Sequence, residues 1–193
     1  MKVLMINGSR REKGCTYTAL HMVEQVLNQA GIETEILFVG KRSVNGEIDA
    51  LVKEAIEKMK EADGLVLGSP VYYASATGEI VAFLDRFFWN GGAALRCKPA
   101  AVLTSARRGG TTATLEVLNK YPTYQEMPLV SSCYWNMVHG NTPEEVMQDA
   151  EGVHIMETLG RNMAWILKCI EAGRQAGIDQ PEAKEKVRTN FIR

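Results

Sequence analysis

The chain has 193 residues, 46% of them hydrophobic, enough to bury one substantial core and the length of a single α/β domain. Its 22 basic and 23 acidic side chains leave a formal charge of −1, which excludes a long-range field drawing the whole molecule to nucleic acid or to an anionic membrane, so any anion must be held locally. Cys15, Cys97, Cys133 and Cys169 lack C-x-x-C or zinc-ligand spacing and read as reduced, mostly packed thiols. No apolar run spans a bilayer or makes a signal-peptide core, and a cytoplasmic protein is expected.

Short apolar runs alternate with longer amphipathic segments, the pattern of βα units feeding a parallel sheet. Val3 to Asn7 is the first strand. Leu20, Val23, Leu27 and Ala30 then mark a helix that Gly31 stops. A second strand follows at Glu33 to Val39. After the polar segment Gly40 to Glu47, the spacing of Ile48, Leu51, Ala55, Ile56 and Met59 gives a second helix. Gly64 to Gly68 is a third strand, without polar alternation and therefore covered on both faces.

A third helix is predicted from about Ala76 to Phe88, ended by Asn90-Gly91-Gly92, and a fourth strand at Pro99 to Ser105. The fourth helix, from about Gly110 to Lys120, is expected to break at Tyr121-Pro122. Met127 to Tyr134 fits a fifth strand. A last long helix, from about Gly152 to Ala172, carries Ile155, Leu159, Met163, Ile166, Leu167 and Ile170 on one face. The segment from about 178 to 193 reads as surface or contact material. Right-handed crossovers leave a doubly wound five-stranded sheet of order 2-1-3-4-5 as the leading topology, with ligands expected beyond the strands' carboxyl ends.

Three loops fall at that edge. Gly8 to Tyr17 leads into the first helix, whose unpaired N–H groups and dipole suit a phosphate, with Ser9, Thr16 and Arg11 as donors; a plain turn with Thr16 as N-cap is nearly as good a reading. The spacing is neither G-x-G-x-x-G nor G-x-x-x-x-G-K-[S/T]. In Gly68 to Ser75, Pro70 stiffens the exit and Tyr72 and Tyr73 offer flat faces to a ring system; the plainer alternative is a turn with Ser75 capping the third helix. In Thr104 to Thr111, Gly109 and Gly110 let backbone N–H groups approach a ligand, and an arginine of the Arg107-Arg108 pair would stabilise negative charge developing on it; taken alone, such a pair before Gly-Gly is more often a solvated helix entry.

Gly8-Ser9 with Arg11, Gly14 and Thr16, and Gly68-Ser69-Pro70-Val71-Tyr72-Tyr73 running through Phe83-Leu84-Asp85-Arg86, resemble the flavodoxin-like NADPH-dependent FMN reductase family, which includes quinone reductases and iron–sulfur flavoproteins. The resemblance covers nearly the whole chain. It implies that Ser9, Arg11, Cys15, Thr16 and Tyr17 surround the FMN phosphate, that Pro70, Val71, Tyr72, Tyr73 and Ala74 border the ring, and that Ser105, Gly109 and Gly110 close the far side. Asp85 and Arg86 read as structural, and no side chain is nominated as nucleophile or general acid. Cys15 stands where many relatives carry Asn or Ser, and its weak S–H donor leaves more of the phosphate binding to backbone and Arg11. Val39 to Asp49 lacks the clustered cysteines of iron–sulfur relatives, so that subclass is set aside.

The resulting expectation is an oxidoreductase in which NADPH or NADH reduces bound FMN, and a small acceptor (a quinone, flavin, nitro or azo compound, or ferric chelate) takes the electrons. The competing reading is a flavodoxin-type carrier docking with protein partners, against which the near-zero charge counts. Met137, His139, Trp89 and Trp135 lie in segments that could wall the substrate space, against the stronger alternative of core or interface positions for Met and Trp and a polar loop for His139. Phe87-Phe88-Trp89-Asn90, apolar beyond one stripe, points to a homodimer or higher homo-oligomer, with burial inside the monomer an equal alternative.

Overall fold

A computed structural model describes residues 1–191. β1 (Lys2–Asn7), β2 (Glu33–Phe38), β3 (Gly64–Pro70), β4 (Ala100–Ala106) and β5 (Met137–His139) form one parallel sheet in the order β2-β1-β3-β4-β5, as the sequence predicts. The helices are α1 (Cys15–Gln29), α2 (Ile48–Glu61), α3 (Gly78–Leu95), α4 (Thr111–Tyr124), a short α5 (Pro143–Val146) and α6 (Ala150–Gln175).

Side chains alternate across a strand, so an unbroken apolar run feeds two cores. Val3 and Met5 of β1 pack with Leu20, Val23 and Leu27 of α1 and Leu159 and Met163 of α6. Leu4 and Ile6 join α2, α3 and α4 on the other face, through Met59, Phe83, Phe87 and Leu118. Parallel strands deliver the loops after β1, β3 and β4 to one edge, which is the condition a site built from all three requires.

Three boundaries differ from the sequence reading. α3 runs through Asn90-Gly91-Gly92 to Leu95. Each glycine costs about 1 kcal/mol of helix propensity, whereas fully burying Leu95 returns roughly 1.5–3 kcal/mol and holds the extra turn to the core. α4 likewise continues past Pro122 to Tyr124. Tyr121 anchors that last turn, its hydroxyl donating to Asp85 at 2.6 Å and its ring lying 5.4 Å from Phe88.

The predicted fifth strand is split. Pro128 and Val130 bond Ala100 through backbone contacts of 2.9 and 2.8 Å, the chain then leaves the sheet, and β5 forms only at Met137–His139. The excursion closes on itself, because Ser132 Oγ lies 2.8 Å from the Tyr134 carbonyl and 2.7 Å from Asn136 Oδ1. Asn136 then returns the chain to β4, donating to the Val102 carbonyl at 2.9 Å. An edge strand has a free side, so such a departure breaks no ladder beyond its own.

Phe87 and Phe88 are buried within the chain, leaving Trp89 as the exposed aromatic of that run. Residues 178–191 run exposed along the surface, held where Arg96 donates to the Pro181 carbonyl at 2.7 Å; residues 192–193 of that predicted tail lie outside the described residues. No helix among the described residues is long and apolar enough to cross a membrane.

Candidate functional site

The loop after β1 is organised by Asn7, the last residue of that strand. Asn7 is fully buried; its Oδ1 accepts from Ser9 N–H at 3.1 Å and its Nδ2 donates to the Glu12 carbonyl at 2.8 Å. Ser9 Oγ in turn accepts from Arg11 N–H at 3.1 Å. From the other side Gly40, just beyond β2, presses on the loop, since a Cβ there would run into the Ser9 carbonyl oxygen.

The N-cap of α1 is Gly14, which offers no side-chain oxygen, so the amides of the first turn carry no side-chain cap. Thr16 does not act as the cap: its Oγ1 meets Ser105 Oγ at 2.8 Å, with both residues buried. An uncovered helix start with the positive end of its dipole is an anion site in waiting. Arg11 stands exposed beside it, and among the described residues its guanidinium has no hydrogen-bonded or ion-paired partner. Cys15 is half-buried and directs its Sγ to the Gly140 carbonyl at 3.7 Å; burial pushes its thiol above the usual range, against the opposing pull of Arg11. Tyr17 stacks on His21 with ring centres 5.7 Å apart.

The loop after β3 is a tight hairpin. Tyr72 N–H donates to the Ser75 carbonyl at 2.9 Å, and Ser75 N–H returns to Tyr72 at 3.0 Å. Between them Tyr73 and Ala74 take φ of 51° and 56°, the left-handed pair that a two-residue turn of this hand demands. Non-glycine residues held there cost roughly 1–3 kcal/mol each and collect at functional sites. Tyr73 is fully exposed and Tyr72 is 42% exposed, so two ring faces stand in solvent at the tip.

Thr77, not Ser75, caps α3. Its Oγ1 accepts from Ile80 N–H at 3.3 Å and donates to the Gly8 carbonyl at 3.1 Å, tying the second loop to the first. Ser69 Oγ holds the base of the hairpin, accepting from Thr77 N–H at 3.2 Å.

The loop after β4 closes on the hairpin. Val71 N–H donates to the Ser105 carbonyl at 2.9 Å. Gly110 takes φ of 98°, and a Cβ there would lie 2.8 Å from Ala74 Cα and 2.9 Å from Val71 Cγ1. Only glycine fits both the dihedral and the approach. At Gly109 an added Cβ would meet nothing within 4 Å, so that stretch of backbone faces open space.

The thirteen sequence-predicted site residues lie on three loops that touch one another or on the element ends beside them, Cys15, Thr16 and Tyr17 in the first turn of α1, Pro70 at the end of β3 and Ser105 near the end of β4, and the donor set suits a mononucleotide. Uncapped amides and an unpaired guanidinium are the groups an anion would need, and exposed aromatic and glycine backbone surfaces are those a planar ring would need. Asn7, Gly40, Ser69 and Thr77 join the site beyond the residues the sequence predicts. Asn directly before Gly-Ser at a strand end, and Thr before Gly78-Glu79, are the turn and cap signals that mark two of them.

Of the proposed wall residues, Met137 is buried in β5, and His139 ends that strand with its N–H on Asp149 at 2.7 Å. Trp135 is half-exposed in the excursion before β5, while Trp89 sits far along α3. Asp85 and Arg86 do not pair with each other: Asp85 takes Tyr121, and Arg86 donates to the Ala82 carbonyl at 3.1 Å. A cavity of about 940 Å³ lies at the opposite, N-terminal edge of the sheet, lined by Met1, Asp63, Lys98, Pro99, Leu167 and Ile178, and none of the loop residues reaches it.

The arrangement defines a flavodoxin-like protein in which three loops converge at the switch point of the sheet. Residues 1–142 match the family described as NADPH-dependent FMN reductase, and the chain belongs to that family. It is 28% identical over 192 residues to an iron–sulfur flavoprotein of Methanocaldococcus jannaschii, covering 89% of this chain and 100% of that one. It is 30% identical over 168 residues to an iron–sulfur flavoprotein of Archaeoglobus fulgidus, covering 79% and 83%. Among solved structures, an apo NADH:FMN oxidoreductase superposes with a TM-score of 0.68 at 21% identity, over 86% of this chain and 89% of the other. The cluster in those relatives' names is theirs. Among the described residues of this chain no three His, Cys, Asp or Glu side chains gather into a metal site.

Proposed function

We propose that the chain is an FMN-dependent reductase that takes electrons from NADPH or NADH and passes them to a small acceptor such as a quinone, a free flavin, a nitro or azo compound, or a ferric chelate. The observation that carries this reading is the mutual contact of the three loops, through Thr16 with Ser105, Thr77 with Gly8, and Gly110 with Ala74. FMN, when bound, supplies the two-electron chemistry.

In this reading the first-turn amides of α1, Ser9, Arg11 and Cys15 hold the phosphate, with Tyr17 beside it. Thr16 acts mainly by bracing the loop against Ser105. Pro70, Val71, Tyr72, Tyr73 and Ala74 border the ring, and the amides at Gly109 and Gly110 face the edge where negative charge develops on reduction. The open hairpin tip leaves one ring face reachable by exchanging substrates. A homodimer or higher homo-oligomer is supported by the exposed rings of Tyr72, Tyr73 and Trp89, and a reducing, cytoplasmic setting by four free cysteines.

The test is anaerobic. Protein loaded with FMN and mixed with NADPH or NADH should bleach without any partner protein and regain its colour when a quinone is added. A flavin that stays oxidised until a partner protein is supplied would instead make the chain an electron carrier.

A further inference from the structure

Ten arginines lie among the described residues, and six of them stand 2.7–3.9 Å from a carboxylate. Of the four without a partner there, Arg188 is in the exposed C-terminal segment, while Arg11, Arg107 and Arg108 all stand on the loops at the carboxyl edge of the sheet. Apart from Arg188, the fold pairs its other described guanidinia with carboxylates. At this edge it leaves three unpaired.

One phosphate does not account for all three. FMN is a monophosphate, and Arg11 at the start of α1 serves it. Arg107 and Arg108 leave β4 toward α4, which packs on the opposite face of the sheet from α1. Both are exposed, and an exposed charge is too well screened to tune a buried ring strongly. Their position suits an anion that arrives from solvent and leaves again. No acidic residue occurs from Ala100 to Leu115 to oppose it, and the open space at Gly109 gives it room.

Resting on the reductase reading above, we infer that Arg107 and Arg108 hold the 2′-phosphate of the nicotinamide donor and so select NADPH over NADH. This ester is the sole difference between the two donors. Paired guanidinium forks match a phosphate dianion in charge and geometry, each contact being a charge-assisted hydrogen bond.

The test titrates the FMN-loaded protein by calorimetry with NADP+ and with NAD+, neither of which is turned over. The wild type should bind NADP+ about tenfold or more tightly than NAD+. The double variant Arg107→Ala/Arg108→Ala should lose roughly tenfold in NADP+ affinity while NAD+ moves less than twofold. Arg107→Lys/Arg108→Lys should recover much of the loss as point charges, and added salt should weaken NADP+ more than NAD+. Equal affinities in the wild type, or equal losses of both ligands in the alanine variant, would overturn the inference. The flavin content of each sample is read in the same experiment: yellow protein without discrimination removes the arginine role alone, whereas protein that takes up no FMN removes the reductase reading beneath it.

Discussion

The hydroxyls of Thr16 and Ser105 meet at 2.8 Å, joining the first turn of α1 to the end of β4 across 89 positions of the chain. Both residues are at least 98% buried, so neither hydroxyl has water as an alternative partner. Thr16→Val should strand the Ser105 hydroxyl and destabilise the protein by about 1–3 kcal/mol. The double variant Thr16→Val/Ser105→Ala should cost less than the two single changes added together. Urea unfolding of the flavin-free protein measures this, and strict additivity would mean that the two groups are not coupled.

Gly109 and Gly110 are adjacent in sequence and opposite in tolerance. Gly110→Ala meets Ala74 Cα and Val71 Cγ1 inside 3 Å at a left-handed φ, and should lower stability by about 1–3 kcal/mol while weakening FMN binding. Gly109→Ala meets nothing, and its unfolding midpoint should stay within about 0.5 kcal/mol of the parent. Thermal unfolding of the pair checks the contrast.

The hairpin tip holds strain that sequence can relieve. Asn-Gly is the favoured pair for the turn that Tyr73 and Ala74 occupy. Tyr73→Asn/Ala74→Gly should therefore raise stability by about 1 kcal/mol, or roughly 2–4 °C in Tm for a domain of this size. The same change removes a ring proposed to border FMN, so flavin affinity should fall. A variant that gains stability at unchanged flavin affinity would show that the strained tip has no part in binding.

Cys15 provides a chemical reporter inside the proposed phosphate loop. Burial raises its thiol, leaving less thiolate at neutral pH than an exposed cysteine has, and its alkylation rate should climb as pH approaches the raised value. Cys133 and Cys169 are exposed and should react with iodoacetamide first. FMN should slow Cys15 further without changing the other two, as followed by mass spectrometry of labelled peptides. Equal labelling of Cys15 with and without FMN would place the phosphate elsewhere.

Much of this architecture is legible in the sequence because its signals are local. The buried run Leu65-Val66-Leu67 and the helical stripe from Leu20 to Leu27 each state their environment within a few residues. What was not legible depends on distant partners. Leu95 carries α3 past two glycines because a core waits for it, and Tyr121 carries α4 past Pro122 because Asp85 lies 36 positions away in sequence but within hydrogen-bond reach. β5 was misplaced for the same reason, since the turn at Ser132 and Asn136 has no apolar period to announce it. At the site, the loops themselves are recognisable and Asn7 bonds within five residues of itself, while Thr77 on Gly8 and Gly40 against Ser9 are contacts that only the folded chain brings together.

The most direct measurement is an equilibrium titration of flavin-free protein with FMN, followed by quenching of flavin fluorescence. Saturation at one FMN per chain is expected, with Arg11→Ala binding roughly tenfold more weakly at unchanged unfolding temperature. Fluorescence that stays at the level of free FMN throughout the titration would contradict the account.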